Sequence, residues 1–204
     1  MCDARQAAKC PRVAAGLRAH LRNGIVNAMS AQPAPSVPEH QVSLSSHSYV
    51  IRPLRSADEP ALVAMFSRSS PEDIRLRCLG AVKDFPHLAA ARLAQCDNDK
   101  EIALVAVDAE GLEPGEIVGV VHLISDPDAP DGAEFDIMVR TDLKGHGVGF
   151  RLMKDILAKA RERGLKRIVG YVMWENRPML LMASELGFTT EHIEPGTVRI
   201  TALL

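Results

Sequence analysis

Aromatic residues are scarce in this 204-residue chain: five Phe, two Tyr and one Trp. So few rings give no platform on which nucleic-acid bases could stack in succession. A formal net charge of −2 gives no basic footprint for phosphate backbones either, so nucleic acid is not an expected partner. Cysteine is equally sparse. Cys2, Cys10, Cys78 and Cys96 form no C-x-x-C pair and lie far apart, which argues against a zinc ribbon or a disulfide framework and fits a reducing cytoplasm. The seven histidines include no H-E-x-x-H or H-x-H spacing, so no metal is expected, and the absence of a G-x-S-x-G elbow removes the usual hydrolase signal. No apolar run approaches the ~18 residues that cross a bilayer, so no membrane partner is expected. What remains is an ordinary globular composition, 47% apolar and 25% charged, in a chain long enough for one well-buried domain and some extra.

That extra falls at the front. Residues 1–48 hold five basic and two acidic residues, no aromatic, and a Pro-, Ser- and Gln-rich tail AQPAPSVPEHQVSLSSHS. Such a segment buries too little apolar surface to offset its ordering entropy, which predicts a disordered leader or linker with at most a short helix near Ala14–Asn23. Regular patterning begins at Tyr49 and defines a second region, residues 49–204. Tyr49–Pro53 reads as a strand. Asp58 is placed to cap a helix carrying Leu62, Val63 and Phe66, and Ser70-Pro-Glu-Asp73 repeats the helix-start signal. A further short helix runs through Leu88, Leu93 and Ala94. Ile102–Val107 and Ile117–Ile124 are β-branched runs around the turn-rich Asp108–Gly115, a hairpin pattern. Ala133–Val139 reads as a central strand. The segment after it repeats Val148, Leu152, Met153, Ile156, Leu157 and Ala160 at helical spacing up to Gly164. Lys166–Val172 is a strand, Asn176 caps a helix over Arg177–Leu186, and Phe188–Ile193 with Thr197–Leu204 form a terminal strand pair.

Between the central strand and the long helix lie three glycines at alternate positions, Gly145, Gly147 and Gly149. A glycine-rich turn at a helix start exposes backbone N–H groups at the positive end of the helix dipole, where a phosphate can approach. A dinucleotide G-x-G-x-x-G fails, because its third glycine would fall on Phe150. A P-loop fails because Phe150-Arg151 stands where Lys-Ser/Thr is required. A tight turn with no ligand also fits the loop taken alone.

Lys144-Gly145-His146-Gly147-Val148-Gly149 resembles the acetyl-CoA loop of the GNAT superfamily of N-acetyltransferases, Gln/Arg-x-x-Gly-x-Gly/Ala, with lysine in the first position as a departure. Tyr171–Phe188, YVMWENRPMLLMASELGF, is similar to the second motif of that superfamily. The resemblance covers about Tyr49 to Leu204 and implies an α/β (α+β) GNAT fold, a mixed, mostly antiparallel central sheet flanked by helices. It further implies that Lys144, Gly145, His146, Gly147, Val148 and Gly149 hold the pyrophosphate of acetyl-CoA. It places backbone groups of Ile137, Met138 and Val139, freed where the strand splays from its neighbour, beside pantetheine and the thioester, with Asn176 near the pantetheine arm. Asn176 as a plain helix cap is compatible with that role. A tyrosine that in many members protonates the leaving thiolate is replaced here by Ala183, so the general acid stays unassigned.

Strand alternation puts Ala133, Phe135, Ile137 and Val139 on one face and Glu134, Asp136 and Met138 on the other. Two acids on an otherwise apolar strand cost too much to bury unpaired, so their face should open onto a polar cleft. Glu134 matches the glutamate that serves as general base in many GNAT members, and Asp136 is the second choice. The runs VIRPLRSADEPALVAMFSRSSPEDIRLRCLG and ENRPMLLMASELGF look closest to the acetyltransferase domain of bacterial protein lysine acetyltransferases that act on acetyl-CoA synthetase. The implied function is acetyl-CoA-dependent transfer to an amine, foremost a protein lysine. A small-molecule amine acceptor, or a non-catalytic acyl-CoA-binding module, shares the loop.

Overall fold

The computed structural model describes residues 39–44, 47–80, 84–96, 100–109, 115–126 and 129–204. The helix expected near Ala14–Asn23 lies outside them. Regular structure begins at β1 (His40–Leu44), earlier than the expected start at Tyr49. β1 pairs antiparallel with β2 (His47–Pro53), Val42 opposite Tyr49, and buries Val42 in the core. The Pro- and Ser-rich surroundings conceal this strand: only Val42 and Leu44 keep period two, enough for an edge that a neighbour stabilises.

Three helices follow, α1 (Glu59–Ser67), α2 (Pro71–Cys78) and α3 (Phe85–Ala94). Ser70 caps α2 as expected, its hydroxyl accepting from Asp73 N–H at 3.1 Å. Asp58 does not cap α1. Its carboxylate accepts from Arg55 N–H at 2.8 Å and from the guanidinium of Arg52 at 2.7 and 2.8 Å, closing a short 3-10 turn over Ser56–Asp58, and Pro60 then starts the helix. Next come β3 (Glu101–Asp108), β4 (Ile117–Asp126), β5 (Ala129–Val139), α4 (Val148–Glu162), β6 (Arg167–Met173), α5 (Arg177–Glu185), β7 (Thr189–Glu194) and β8 (Thr197–Leu203). The helix ends fall where glycine can turn left-handed: Gly164 and Gly187 have φ of +75° and +82° just past α4 and α5.

All eight strands join one sheet in the order β1-β2-β3-β4-β5-β6-β8-β7. Every pairing is antiparallel except β5 with β6. The fold is the expected α/β arrangement, a mixed, mostly antiparallel central sheet flanked by helices. Helices cover both faces. α4 lays its stripe Val148, Leu152, Met153, Ile156, Leu157 and Ala160 against the face that carries Ala133, Phe135 and Val139. α1 and α3 bury Leu62, Phe66 and Leu93 against the other, with Val105, Val120 and Met138. Burying side chains of this size contributes about 1.5–3 kcal/mol each before entropy is subtracted. The alternation expected for β5 is therefore the alternation between two cores.

Candidate active site

β5 and β6 run parallel for three residue pairs only, Gly132 with Arg167, Ala133 with Ile168 and Glu134 with Val169. Beyond Glu134 the strands part, and the gap opens into a cleft of about 760 Å³. Phe135–Val139 form one wall, Gly170–Val172 another. α5 closes one side with Met179 and Met182, and α2 approaches with Leu76 and Arg77. At the mouth lies the glycine loop. Gly145 and Gly147 have φ of +78° and +87°, left-handed values that L side chains resist, and Gly147 precedes α4 without any side-chain cap. The first N–H groups of a 15-residue helix thus face the cleft mouth with no side-chain oxygen on them. A phosphorylated carrier fits this donor set: amides for the phosphates, and an apolar corridor between parted strands whose backbone groups have no strand partner on that side.

Of the residues singled out in the sequence, Ile137, Met138, Val139, Lys144, Gly145, Gly147, Gly149 and Asn176 line the cleft. Val148 turns its side chain into the core, leaving only its backbone to face a ligand. His146 folds back on the loop, its Nδ1 3.0 Å from the carbonyl of Lys144. Asn176 caps α5, its side-chain oxygen accepting from Met179 N–H at 3.3 Å, and also lines the cleft. Lys144 is drawn to Asp73 of α2. Burial would raise the Asp73 carboxyl, but hydrogen bonds from Lys144 and Thr141 outweigh it and hold it below the usual range. This pairing fastens the loop to α2.

Glu134 is half-buried at the last paired position of β5 and is not among the residues lining the cleft; Asp136, two residues on, is. Asp136 is ion-paired with Arg77, and its other oxygen lies 3.7 Å from His122 Nδ1. His122, 2% exposed on β4, presents Nε2 to Glu101 at 2.8 Å. Burial would lower the His122 pKa, but its bonds to Asp136, Cys96 and Glu101 outweigh that and raise it well above 6.5. Burial would likewise raise Glu101, yet His122 and Arg92 bring it down to about 2. Ligand atoms of Cys96, Glu101 and His122 come within 4.8 Å of one another, a spacing a metal could use. Arg92 already bonds both carboxylate oxygens of Glu101, and an imidazolium has no lone pair to give, so the chemistry of this cluster is that of a buried ion-pair network.

Arg77, Phe135, Gly170 and the two methionines of α5 carried no signal of a site in the sequence. Each becomes a cleft residue only because β6 leaves β5 and two helices close around the gap. Ala183, where many GNAT members have tyrosine, is 2% exposed and part of the core. Trp174 is 40% exposed, stacked on Arg177 at 4.3 Å, and is a surface packing residue, not part of the cleft wall.

The acetyltransferase (GNAT) family model matches residues 68–188, the span from the end of α1 to Phe188 just after α5, and the chain belongs to that family. The acetyltransferase PA5475 of Pseudomonas aeruginosa is 27% identical over 143 residues, which are 70% of this chain and 76% of that protein. Among solved structures, the GNAT domain of S. lividans PAT superposes with a TM-score of 0.72 at 25% identity, covering 81% of this chain and 97% of that one. A GNAT-family acetyltransferase from Streptococcus pneumoniae gives a TM-score of 0.61 at 20% identity, covering 76% and 99%. GNAT acetyltransferases use acetyl-CoA as co-substrate. The protein is an acetyltransferase of this family. No helix among the described residues is long and apolar enough to cross a membrane.

Proposed function

We propose that this acetyltransferase carries the acetyl group of acetyl-CoA to a protein lysine side chain, with Glu134 as general base, in the cytoplasm. The observation that carries the reading is the parting of β5 and β6 directly beyond Glu134, beside an uncapped, glycine-lined helix start. Loop amides of residues 144–149 would hold the phosphates, and the backbone of Ile137–Val139, on the side where β6 has left β5, would align the carrier arm. Acetyl-CoA supplies an activated thioester carbonyl. A lysine side chain is almost wholly protonated at neutral pH and has no lone pair until its proton is taken. Glu134 takes that proton, directly or through a water, the nitrogen attacks the carbonyl, and as the carbon–sulfur bond breaks the nitrogen gives up its second proton to solvent, from which the released thiolate is protonated. Asp136, which lines the cleft, is paired with Arg77 and lies near His122; Glu134 is assigned the role on its match to the glutamate that serves as general base in many GNAT members and on its place where β5 and β6 part.

A protein acceptor is supported by the likeness to the S. lividans PAT domain and by the sequence runs similar to lysine acetyltransferases acting on acetyl-CoA synthetase. The test is radiolabelled acetyl transfer from acetyl-CoA to a folded acyl-CoA synthetase, set beside a panel of polyamines, amino acids and aminoglycosides. Label on a synthetase lysine supports the proposal. Label confined to small amines replaces the acceptor, and binding without transfer to any acceptor replaces the enzyme reading with a binding module.

A further inference from the structure

We propose that Phe135, lying across Gly170 where β5 and β6 part, is the stop that restricts the acyl group of the coenzyme A thioester to short chains. The inference rests on the reading of the cleft as an acyl-CoA site and adds a residue that sets which thioesters it takes. The cleft has one open and one closed end. Its open end is the glycine loop, and its closed end is the three-pair stretch where β5 and β6 still hydrogen-bond. Phe135 and Gly170 are the first residues past that stretch, and both line the cleft. A carrier arm entering at the loop and following β5 passes Val139 and Ile137 and meets Phe135 after four residues, ~13 Å at ~3.3 Å per residue. Whatever the arm carries at its tip ends against that ring.

Two observations show the ring to be fixed there. A Cβ on Gly170 would come within 2.5 Å of Phe135 Cε1 and 2.7 Å of Cζ, so the ring occupies the space that any other residue at 170 would need. Its outer edge is held by Phe188, the ring centroids 5.6 Å apart with planes inclined at 60°. Phe135 is 3% exposed and cannot swing aside without displacing core residues. Ile137, Val139, Met179 and Met182 give the walls leading to it an apolar side, so an alkyl tail is not rejected on polarity there; it is rejected on length. A smaller side chain at 135 would vacate volume next to a residue that has no side chain to refill it, which extends the corridor past its present end.

The experiment measures both binding and transfer. Calorimetry with free coenzyme A and with acetyl-, butyryl- and hexanoyl-CoA is paired with kcat/KM for each thioester in the wild type, Phe135→Leu and Phe135→Ala. In the wild type, hexanoyl-CoA should be used at least about 10-fold less well than acetyl-CoA, the usual worth of surplus methylenes at a closed wall. Phe135→Leu should narrow that ratio and Phe135→Ala reverse it, with free coenzyme A binding unchanged. Should Phe135→Ala fail to fold, Phe135→Leu alone carries the test, checked by its circular dichroism. A wild type that takes hexanoyl-CoA as readily as acetyl-CoA, or a folded Phe135→Leu with an unaltered ratio, overturns the stop while leaving the cofactor reading intact. No binding of free coenzyme A to the wild type overturns the cofactor reading, and the stop with it.

Discussion

Glu134 and Asp136 stand two residues apart on one face of β5. Asp136 answers Arg77 and His122, so its carboxylate is a structural counter-charge at the cleft wall. Glu134 sits where pairing with β6 ends. Glu134→Gln should keep the affinity for acetyl-CoA and lower turnover by roughly 10²–10⁴-fold, the ordinary worth of a general base, with partial recovery at high pH where the amine sheds its proton in solution. Steady-state kinetics with calorimetry on the same preparation check this, and full activity in Glu134→Gln would overturn the base assignment. Asp136→Asn should lower turnover much less, its loss falling on stability because Arg77 and His122 lose their carboxylate partner. Alternation along β5 was enough to put both acids on one face. It could not show what Asp136 meets, because Arg77 is brought from α2 by packing and His122 lies on the neighbouring strand β4.

At the scale of elements, the strand, loop and helix from β5 to α4 were legible because local chemistry dictates them: a period-two run, glycines where φ turns positive, then a 3.6-residue stripe. Gly147 is a sensitive position. Aspartate is among the few residues that tolerate a left-handed φ, so Gly147→Asp should fold while adding a negative charge to the loop proposed to hold the phosphates. Acetyl-CoA affinity should become undetectable by calorimetry with the circular dichroism unchanged; retained affinity in the folded variant would remove the loop from the site. Local pattern does not disclose the other element-level feature, the chain of ion pairs Arg92, Glu101, His122, Asp136, Arg77 across α3, β3, β4, β5 and α2. It makes stability depend on pH from two sides. Glu101 is held near 2 in the fold, so its contribution is complete above the ordinary carboxylate value near 4.5 and is lost as pH falls toward 2. His122 is raised, so its contribution is complete below 6.5 and is lost as pH climbs through its higher folded value. Thermal melts across pH should show both limbs, and His122→Ala should erase the alkaline one while costing about 3–5 kcal/mol, since it strands buried carboxylates. A melt profile identical to the wild type above pH 6.5 would contradict this.

For the whole molecule, the sheet's outer strand bears directly on the site. β1 covers the edge of β2, Val42 is buried, and the Leu44 side chain lies 3.7 Å from where a Cβ on Gly147 would stand, so the edge strand packs against the glycine loop. His40 adds a second tie, its Nε2 3.1 Å from Asp155 and 2.8 Å from the Arg151 guanidinium on α4. Reading residues 1–48 by composition missed this, because averaging over a proline- and serine-rich stretch hides a five-residue strand whose stability comes from its neighbour and not from its own propensity. A chain beginning at Ser46 should therefore fold with an exposed β2 edge. Burial lost at Val42 and Leu44 amounts to about 3 kcal/mol, and at about 2–4 °C per kcal/mol for a domain of this size the melting temperature should fall by roughly 6–12 °C. A chain beginning at Glu39 should melt with the full-length protein. Loosening behind Gly147 should also weaken acetyl-CoA binding in the shorter chain, although no residue that lines the cleft has been removed. Differential scanning calorimetry with and without acetyl-CoA separates the two effects: the ligand-induced rise in melting temperature should be smaller for the Ser46 chain than for the Glu39 chain. Equal melting temperatures would mean that β1 contributes nothing to the sheet, and equal ligand shifts would mean that Leu44 contributes nothing to the loop.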